Sequence, residues 1–458
     1  MADELNPVQA DSPEAHLYNS IRRWLGVADF LVGLAFLITL LVTGWTNWLR
    51  DFAYRLGFQN YSLSLFMYLV LLLVISKVLG LGLDYYGFSL ERRFKLSTQR
   101  FRSWGWDEVK GFLVGLVLGA VVVEVLYFTL RQWPQHWWML AWALFMGLFI
   151  ILAQLAPVVL FPIFYKFEPL DDEDLRRRLV VLSERAGTRV RGVYRWKLSE
   201  KSKKANAALT GLGATRRIIL ADTLLDNYSP DEIEAVLAHE LGHHVHRHIM
   251  KSIFVQAGIT LFGFWAANWT LHYAVDQHLF EELSDFANLP LLALVSVVLS
   301  FVLMPALNAY SRFNERQADR YAFESIASVE PFISSMNKLA EQNLAERTPS
   351  KWVEWFFHSH PAISRRLAAA KEWGRKQEIN PYVRSTRVSV FAGSRSRAAS
   401  LLLYRRPRYR AESPRHRLRL HFRGSAVALV VHSAQAWTPG ALQTDPARVC
   451  DRRRVPGA

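Results

Sequence analysis

The chain has 458 residues, 51% of them hydrophobic and 13% aromatic, enough for a large core or several membrane spans. Its net charge of +15 is unevenly placed: residues 381–458 hold 16 arginines, no lysine and three acidic residues, which leaves +2 for the first 380 residues. The body is therefore not a basic nucleic-acid binder, and Cys450, as the only cysteine, allows neither an internal disulfide nor a cysteine metal site.

Residues 1–17 are polar and acidic and show no cleavable-signal pattern. Apolar runs of about 20 residues match the thickness of a bilayer core. Six are predicted, at 27–49, 61–83, 109–130, 138–161, 253–275 and 290–310. Continuous apolar runs of this length seldom occur in soluble helices. Trp133, Trp137 and Trp138 stand where interfacial aromatics belong. The segment between the second and third runs carries Arg92, Arg93, Lys95, Arg100 and Arg102, and the one between the fourth and fifth is also basic. The segment between the last two is acidic, with Asp276, Glu281, Glu282 and Asp285. The positive-inside rule then places both termini and residues 163–251 on the cytoplasmic side. Within the third run, Glu124 must face a wet chamber or a partner, because a carboxylate in lipid is costly. Lys77 is predicted to snorkel to a span end.

Residues 163–251 are soluble in character. An amphipathic helix is predicted over 170–186, and short strands over 192–197 and 215–220 around a Gly211-Leu212-Gly213 turn. Residues 222–225 lead into a loop. Ser229 is then a good N-cap and Pro230 suits the first turn of a following helix. A further amphipathic helical stretch is predicted over 349–376. Beyond about residue 380 no period is sustained except at 426–431, so the tail is expected to be disordered. Its use of arginine without lysine also resembles translation of a G+C-rich frame.

The helix opened by Ser229 carries His239-Glu240-Leu241-Gly242-His243. Residues i and i+4 share a helix face, so His239 and His243 can offer two imidazoles to one ion. Glu240 points beside such an ion, where it can take a proton from water that a zinc ion has made acidic. Gly242 is predicted to leave room for substrate or metal. The bland alternative is a surface helix with a run of histidines, His243, His244, His246 and His248. Catalytic zinc usually takes three protein groups and keeps a position open. The candidate third ligand is Glu315, predicted on a helix after the sixth run, with Asp319 one turn on. One carboxylate can bind metal; the other can hold a ligand imidazole by its outer nitrogen or handle protons. The residues alone leave open a solvated Glu315.

These features together resemble the type I CAAX prenyl protease family of integral-membrane zinc metallopeptidases. Four separated motifs carry the resemblance: His239 to His243; Ser311-Arg312-Phe313-Asn314-Glu315-Arg316-Gln317-Ala318-Asp319; Asn206-Ala207 with the segment from Gly211 to Leu225; and His358-Ser359-His360-Pro361 with Arg366. The resemblance covers roughly residues 17–376. It implies that His239, His243 and Glu315 bind one zinc ion and that Glu240 is the catalytic acid/base. It also implies that Asp319 is a proton donor or supports a ligand, that Asn206 and Ala207 hold the substrate backbone by strand addition, and that His360 and Arg366 line the site and stabilise an oxyanion. Read without the family, the last two form a His-Pro helix cap and a solvated arginine. Family members typically show seven spans around a chamber; six are predicted here, and the arginine-rich tail has no counterpart.

The expected architecture is a mainly α polytopic membrane protein of about six spans with a zincin-like metalloprotease domain containing a small β-sheet. Its expected parts are a cytoplasmic segment, 1–26; a four-span membrane domain, 27–162; a metallopeptidase domain with two further spans, 163–376; and the tail, 377–458. The expected partners are the lipid bilayer and a peptide or protein substrate, prenylated or not, with no nucleic acid. The expected role is CAAX-type C-terminal processing or membrane-protein quality control, in a bacterial plasma membrane with the site towards the cytoplasm. The alternative is a catalytically silent scaffold or lipid-binding chamber.

Overall fold

The structure is a computed structural model that describes residues 11–211 and 216–379. The predicted tail, and residues 212–215 of the predicted turn and strand, lie outside the described residues. Among the described residues, six helices are long and apolar enough to cross a membrane. They are α1 (Pro13–Val42), α3 (Tyr61–Arg93), α4 (Phe101–Gln132), α5 (Trp137–Leu155), α10 (His248–Asp276) and α11 (Leu289–Ser325). Their outward faces expose large apolar side chains such as Val78, Val117, Phe254, Trp265 and Val302, as bilayer contact requires and water would penalise.

The first span departs from prediction. The apolar run continues to residue 49, but Gly44 takes a positive φ of 71° and ends α1. Trp45–Leu56 forms a separate amphipathic helix, α2, that buries Thr46, Leu49 and Ala53 and turns Trp45 and Trp48 outward. Buried polar groups tie α2 to the facing ends of the spans. The Thr46 hydroxyl lies 2.6 Å from that of Tyr68 and donates to the Ala287 carbonyl. Tyr127 donates to Asn288, and Arg50 pairs with Asp285. These partners offset the cost of burying polar groups at low dielectric.

Two charged residues inside the spans, Lys77 and Glu124, are also partnered. Lys77, rather than snorkelling to an end, sits at the middle of α3 between Asp84 and Glu108. Glu124 accepts from Ser62 at 2.7 Å and lies 3.6 Å from Arg131.

The polar part of the chain continues through the one-turn helix α6 (Phe161–Phe164), β1 (Phe167–Pro169), α7 (Glu173–Arg185) and β2 (Gly192–Trp196). It goes on through β3 (Ala207–Thr210), β4 (Arg217–Ala221), α8 (Asp222–Leu225) and α9 (Pro230–Val245). The four strands form one mixed sheet in the order β1-β2-β4-β3. β2 and β4 are parallel, with Val193 opposite Ile218; β1 and β3 run antiparallel at the edges, with Ala207 opposite Leu220. Among the described residues β3 pairs on one side only, which leaves an edge facing outward from the sheet. Ile218, Leu220, Leu224, Ile233, Leu237 and Leu241 join this sheet to α7, α9 and the end of α11 in one core.

Two further boundaries differ from prediction. The segment bearing Glu315 is not a separate helix after the last span: α11 runs unbroken for 37 residues from the span into the site. The stretch 349–376 is two helices, α13 (Lys351–Phe357) and α14 (Ile363–Ile379), because Pro361 disfavours helical backbone just before it. Between α11 and α13 lies α12 (Glu330–Gln342).

Candidate metal centre and active site

α9 is held at its start by a complete capping box. The Ser229 hydroxyl accepts from the Glu232 N–H, and the Glu232 carboxylate accepts from the Ser229 N–H. Lys338 and Ser334 of α12 close on the same carboxylate. The helix therefore enters the core at a fixed angle, and it is buried on most of its circumference, at Leu237, Ala238, His239, Leu241 and Gly242 among others.

Gly242 has a different role from the predicted one. A Cβ there would meet the Ala318 Cα at 2.8 Å and its carbonyl oxygen at 2.9 Å. The missing side chain makes room for the backbone of α11, not for substrate or metal. This contact seats Ala318 against α9 and carries Glu315 and Asp319, on either side of it, to the two histidines.

The three candidate ligands converge. His239 Nε2 and His243 Nε2 are 3.3 Å apart. Glu315, 1% exposed, places one oxygen 3.3 Å from the first and the other 3.2 Å from the second. One ligand atom from each residue falls within a common 4.8 Å. A tetrahedral ion with ligands at about 2.0–2.1 Å separates neighbouring ligand atoms by about 3.3 Å. The site thus has the edge lengths of a tetrahedral centre, with two nitrogens, one carboxylate and a fourth direction free of these three.

Each group is held from behind. His239 Nδ1 lies 2.9 Å from Asp319. Arg366, also buried, donates to both oxygens of Asp319, at 2.9 Å from Nε and 2.6 Å from Nη2. Burial disfavours the charged form of His239, but Asp319 and Glu315 outweigh it and raise its pKa to about 10. A metal must therefore displace a proton there. Arg366 is pushed up as well: burial opposes its charge, and Asp319 more than offsets that. Behind the second ligand, His243 Nδ1 is 3.1 Å from His248 Nδ1, and His248 Nε2 is 2.9 Å from Gln317 Oε1.

His360 reaches the same centre, its Nδ1 2.9 Å from Glu315. Its position follows from the turn between α13 and α14. The Arg312 guanidinium donates to the carbonyls of Glu354 and His358, Asn308 to that of Phe356, and the Ala362 N–H to the Glu354 carboxylate. Arg312 stands in the quoted motif but nothing in the sequence shows that its target is a turn some 45 residues on. Glu240 is half-buried beside the ligands, and its charge acts on Arg366. Asn206 and Ala207 open the edge strand: the Asn206 carbonyl accepts from the Ala221 N–H at 3.0 Å, and Ala207 is the first paired residue of β3.

Residues 169–374 match the family described as Peptidase family M48, and residues 8–166 match "CAAX prenyl protease N-terminal, five membrane helices". The chain is 31% identical over 309 residues to the metalloprotease YhfN of Bacillus subtilis, covering 67% of this chain and 72% of that protein. It is 30% identical over 325 residues to CAAX prenyl protease 1 of Saccharomyces cerevisiae, covering 66% and 71%. The crystal structure of S. mikatae Ste24p aligns with a TM-score of 0.71 at 23% identity, over 81% of this chain and 91% of that one, so the fold is shared.

Proposed function

We propose, from the premise that this chain belongs to peptidase family M48, that it is a zinc-dependent endopeptidase cutting peptide bonds at the membrane surface or within the bundle. The carrying observation is the convergence of His239, His243 and Glu315 at tetrahedral spacing, directly beside Glu240, in an integral multi-pass membrane protein. The donor set of two imidazoles and one carboxylate fits catalytic zinc. When bound, zinc supplies Lewis acidity: it polarises a carbonyl and makes water a nucleophile near neutral pH.

The protein's own groups do the rest. Asn206 and Ala207 offer the open edge of β3 to an extended substrate, whose backbone adds as a further strand. Glu240 takes the proton of the attacking water and passes it to the leaving amine. His360 donates to the oxygen on which charge develops. Asp319 orients His239 and Arg366 acts through Asp319, so both are positioning residues.

The site lies on the cytoplasmic side by the positive-inside rule. Supporting this, the basic α3–α4 connection is bonded to the polar part of the chain, Thr98 N–H to the Lys201 carbonyl and Ser97 opposite Ser202. The yeast relative's name points to C-terminal processing of prenylated substrates; a broader clearance of membrane proteins uses the same edge and the same chemistry.

The deciding experiment measures metal content and proteolysis for the wild type and Glu240→Gln. We expect about one zinc per chain in both and activity in the wild type alone. Protein without zinc, or equal activity in both, would overturn the zinc-peptidase reading. Substrates retained on Glu240→Gln in membranes then separate processing from clearance.

A further inference from the structure

We propose that His248 and Gln317 form a directional hydrogen-bond relay that fixes the tautomer of His243 and so presents its Nε2 lone pair to the metal. This rests on the metallopeptidase reading above and adds two positioning residues to it.

The argument is one of donor and acceptor counting. His248 is 3% exposed, so its ring nitrogens find partners in the protein or not at all. Its Nε2 faces the Gln317 carboxamide oxygen at 2.9 Å. An oxygen only accepts, so Nε2 carries the hydrogen. A neutral imidazole has one N–H, which leaves Nδ1 of His248 as an acceptor. The group facing that nitrogen at 3.1 Å is Nδ1 of His243, which must therefore donate. Its own Nε2 is then bare, and it is Nε2 that lies 3.3 Å from His239 Nε2 and 3.2 Å from Glu315. Turning the Gln317 amide over reverses every step and puts a hydrogen on His243 Nε2, pointing into the ligand cluster. Only one direction of the relay is compatible with a metal.

Local structure holds the relay in place. α9 ends at Val245 with His246 as its C-cap, and Arg247, at a φ of 55°, turns the chain so that His248 is the first residue of α10. His246 stacks on His248 with ring centroids 5.5 Å apart, and Tyr321 of α11 meets the His246 ring edge-on. Gln317 stands on α11 between Glu315 and Asp319. A membrane helix thus begins on the residue that backs a ligand. The two ligand histidines are also backed differently, His239 by a charged carboxylate and His243 by a neutral chain.

The test uses full-length protein in detergent, with zinc affinity read by chelator competition and the ligand field read from the visible bands of the cobalt(II) form. His248→Phe keeps an aromatic ring but removes both nitrogens; Gln317→Leu removes the acceptor; Gln317→Glu keeps an oxygen that only accepts. We expect His248→Phe and Gln317→Leu to weaken zinc binding about 10- to 100-fold and to shift the cobalt bands. Gln317→Glu should hold zinc at least as tightly as the wild type. Melting temperatures measured in chelator serve as the folding control, and should His248→Phe fail to fold, the Leu and Glu variants at 317 decide alone. Wild-type zinc affinity and unchanged cobalt bands in folded His248→Phe, or equal affinities for the Leu and Glu variants at 317, would overturn the relay. Failure of the wild type itself to bind zinc overturns the metallopeptidase reading instead.

Discussion

At the scale of single residues, the site separates what is written locally from what is not. His239 and His243 are legible because one helical turn puts them on one face, a property of spacing alone. Glu315 lies 72 residues on and is visible only as part of a motif, since no local period connects it to the histidines. His248 is hidden in a histidine run that reads equally well as a surface feature; its burial and its direction come from the turn at Arg247. Asp319 shows why such residues matter twice. It lies against His239 Nδ1, which we propose it orients, and it also neutralises Arg366, both side chains being at most 10% exposed. Asp319→Ala should therefore lose about 3–5 kcal/mol of stability, because it strands a buried guanidinium. Adding Arg366→Leu should recover much of the melting temperature in detergent without recovering zinc affinity. If both properties return together, the carboxylate has no orienting role.

At the scale of elements, the centre is a crossing of two helices. α9 carries two of the proposed ligands and α11 the third, and they meet where Gly242 lies against Ala318. The capped start of α9 was readable, since Ser229, Pro230 and Glu232 form a local signal. The crossing was not, because a glycine in a helix does not announce which neighbour it admits. The continuity of α11 was also hidden: polarity changes near Ser311, but backbone hydrogen bonding does not. The break at Gly44 is the converse case, in which hydropathy continues through a change of backbone. The edge strands β1 and β3, three and four residues long, are too short to show an alternation of their own. Gly242→Ala tests the crossing. Its methyl would sit within 3 Å of backbone atoms that cannot rotate away, so the helices must part. Overpacking of this kind costs about 1–3 kcal/mol, a moderate loss of stability. The ligand cluster depends on the same approach, so zinc affinity should fall much further than stability does. Chelator competition alongside thermal unfolding would show whether the two effects separate.

For the whole molecule, the membrane part and the peptidase part both hold the edge strand proposed to dock substrate. The chain leading into β3 is fastened from two directions. On the membrane side, the Lys203 N–H donates to the Leu96 carbonyl, and Lys204 pairs with Glu91 at 2.8 Å. On the other side, the Gln342 side chain donates to the Lys203 carbonyl, and Asn343 accepts from the Ala205 N–H at 3.0 Å. Residues 203–205 thus lie between the C-terminal end of α3 and the end of α12. Neither fastening touches the ligands, so the position of the edge and the chemistry of the metal are separable. Asn343→Ala removes the bond that holds the residue just before Asn206. A hydrogen bond of this kind is worth about 1 kcal/mol, so KM for a peptide substrate should rise about five-fold while kcat stays within about two-fold. Zinc content and cobalt bands should match the wild type. A fall in kcat with KM unchanged would mean that this strand acts on the chemistry and not on substrate placement, and Asn206 and Ala207 would lose their role as a docking edge.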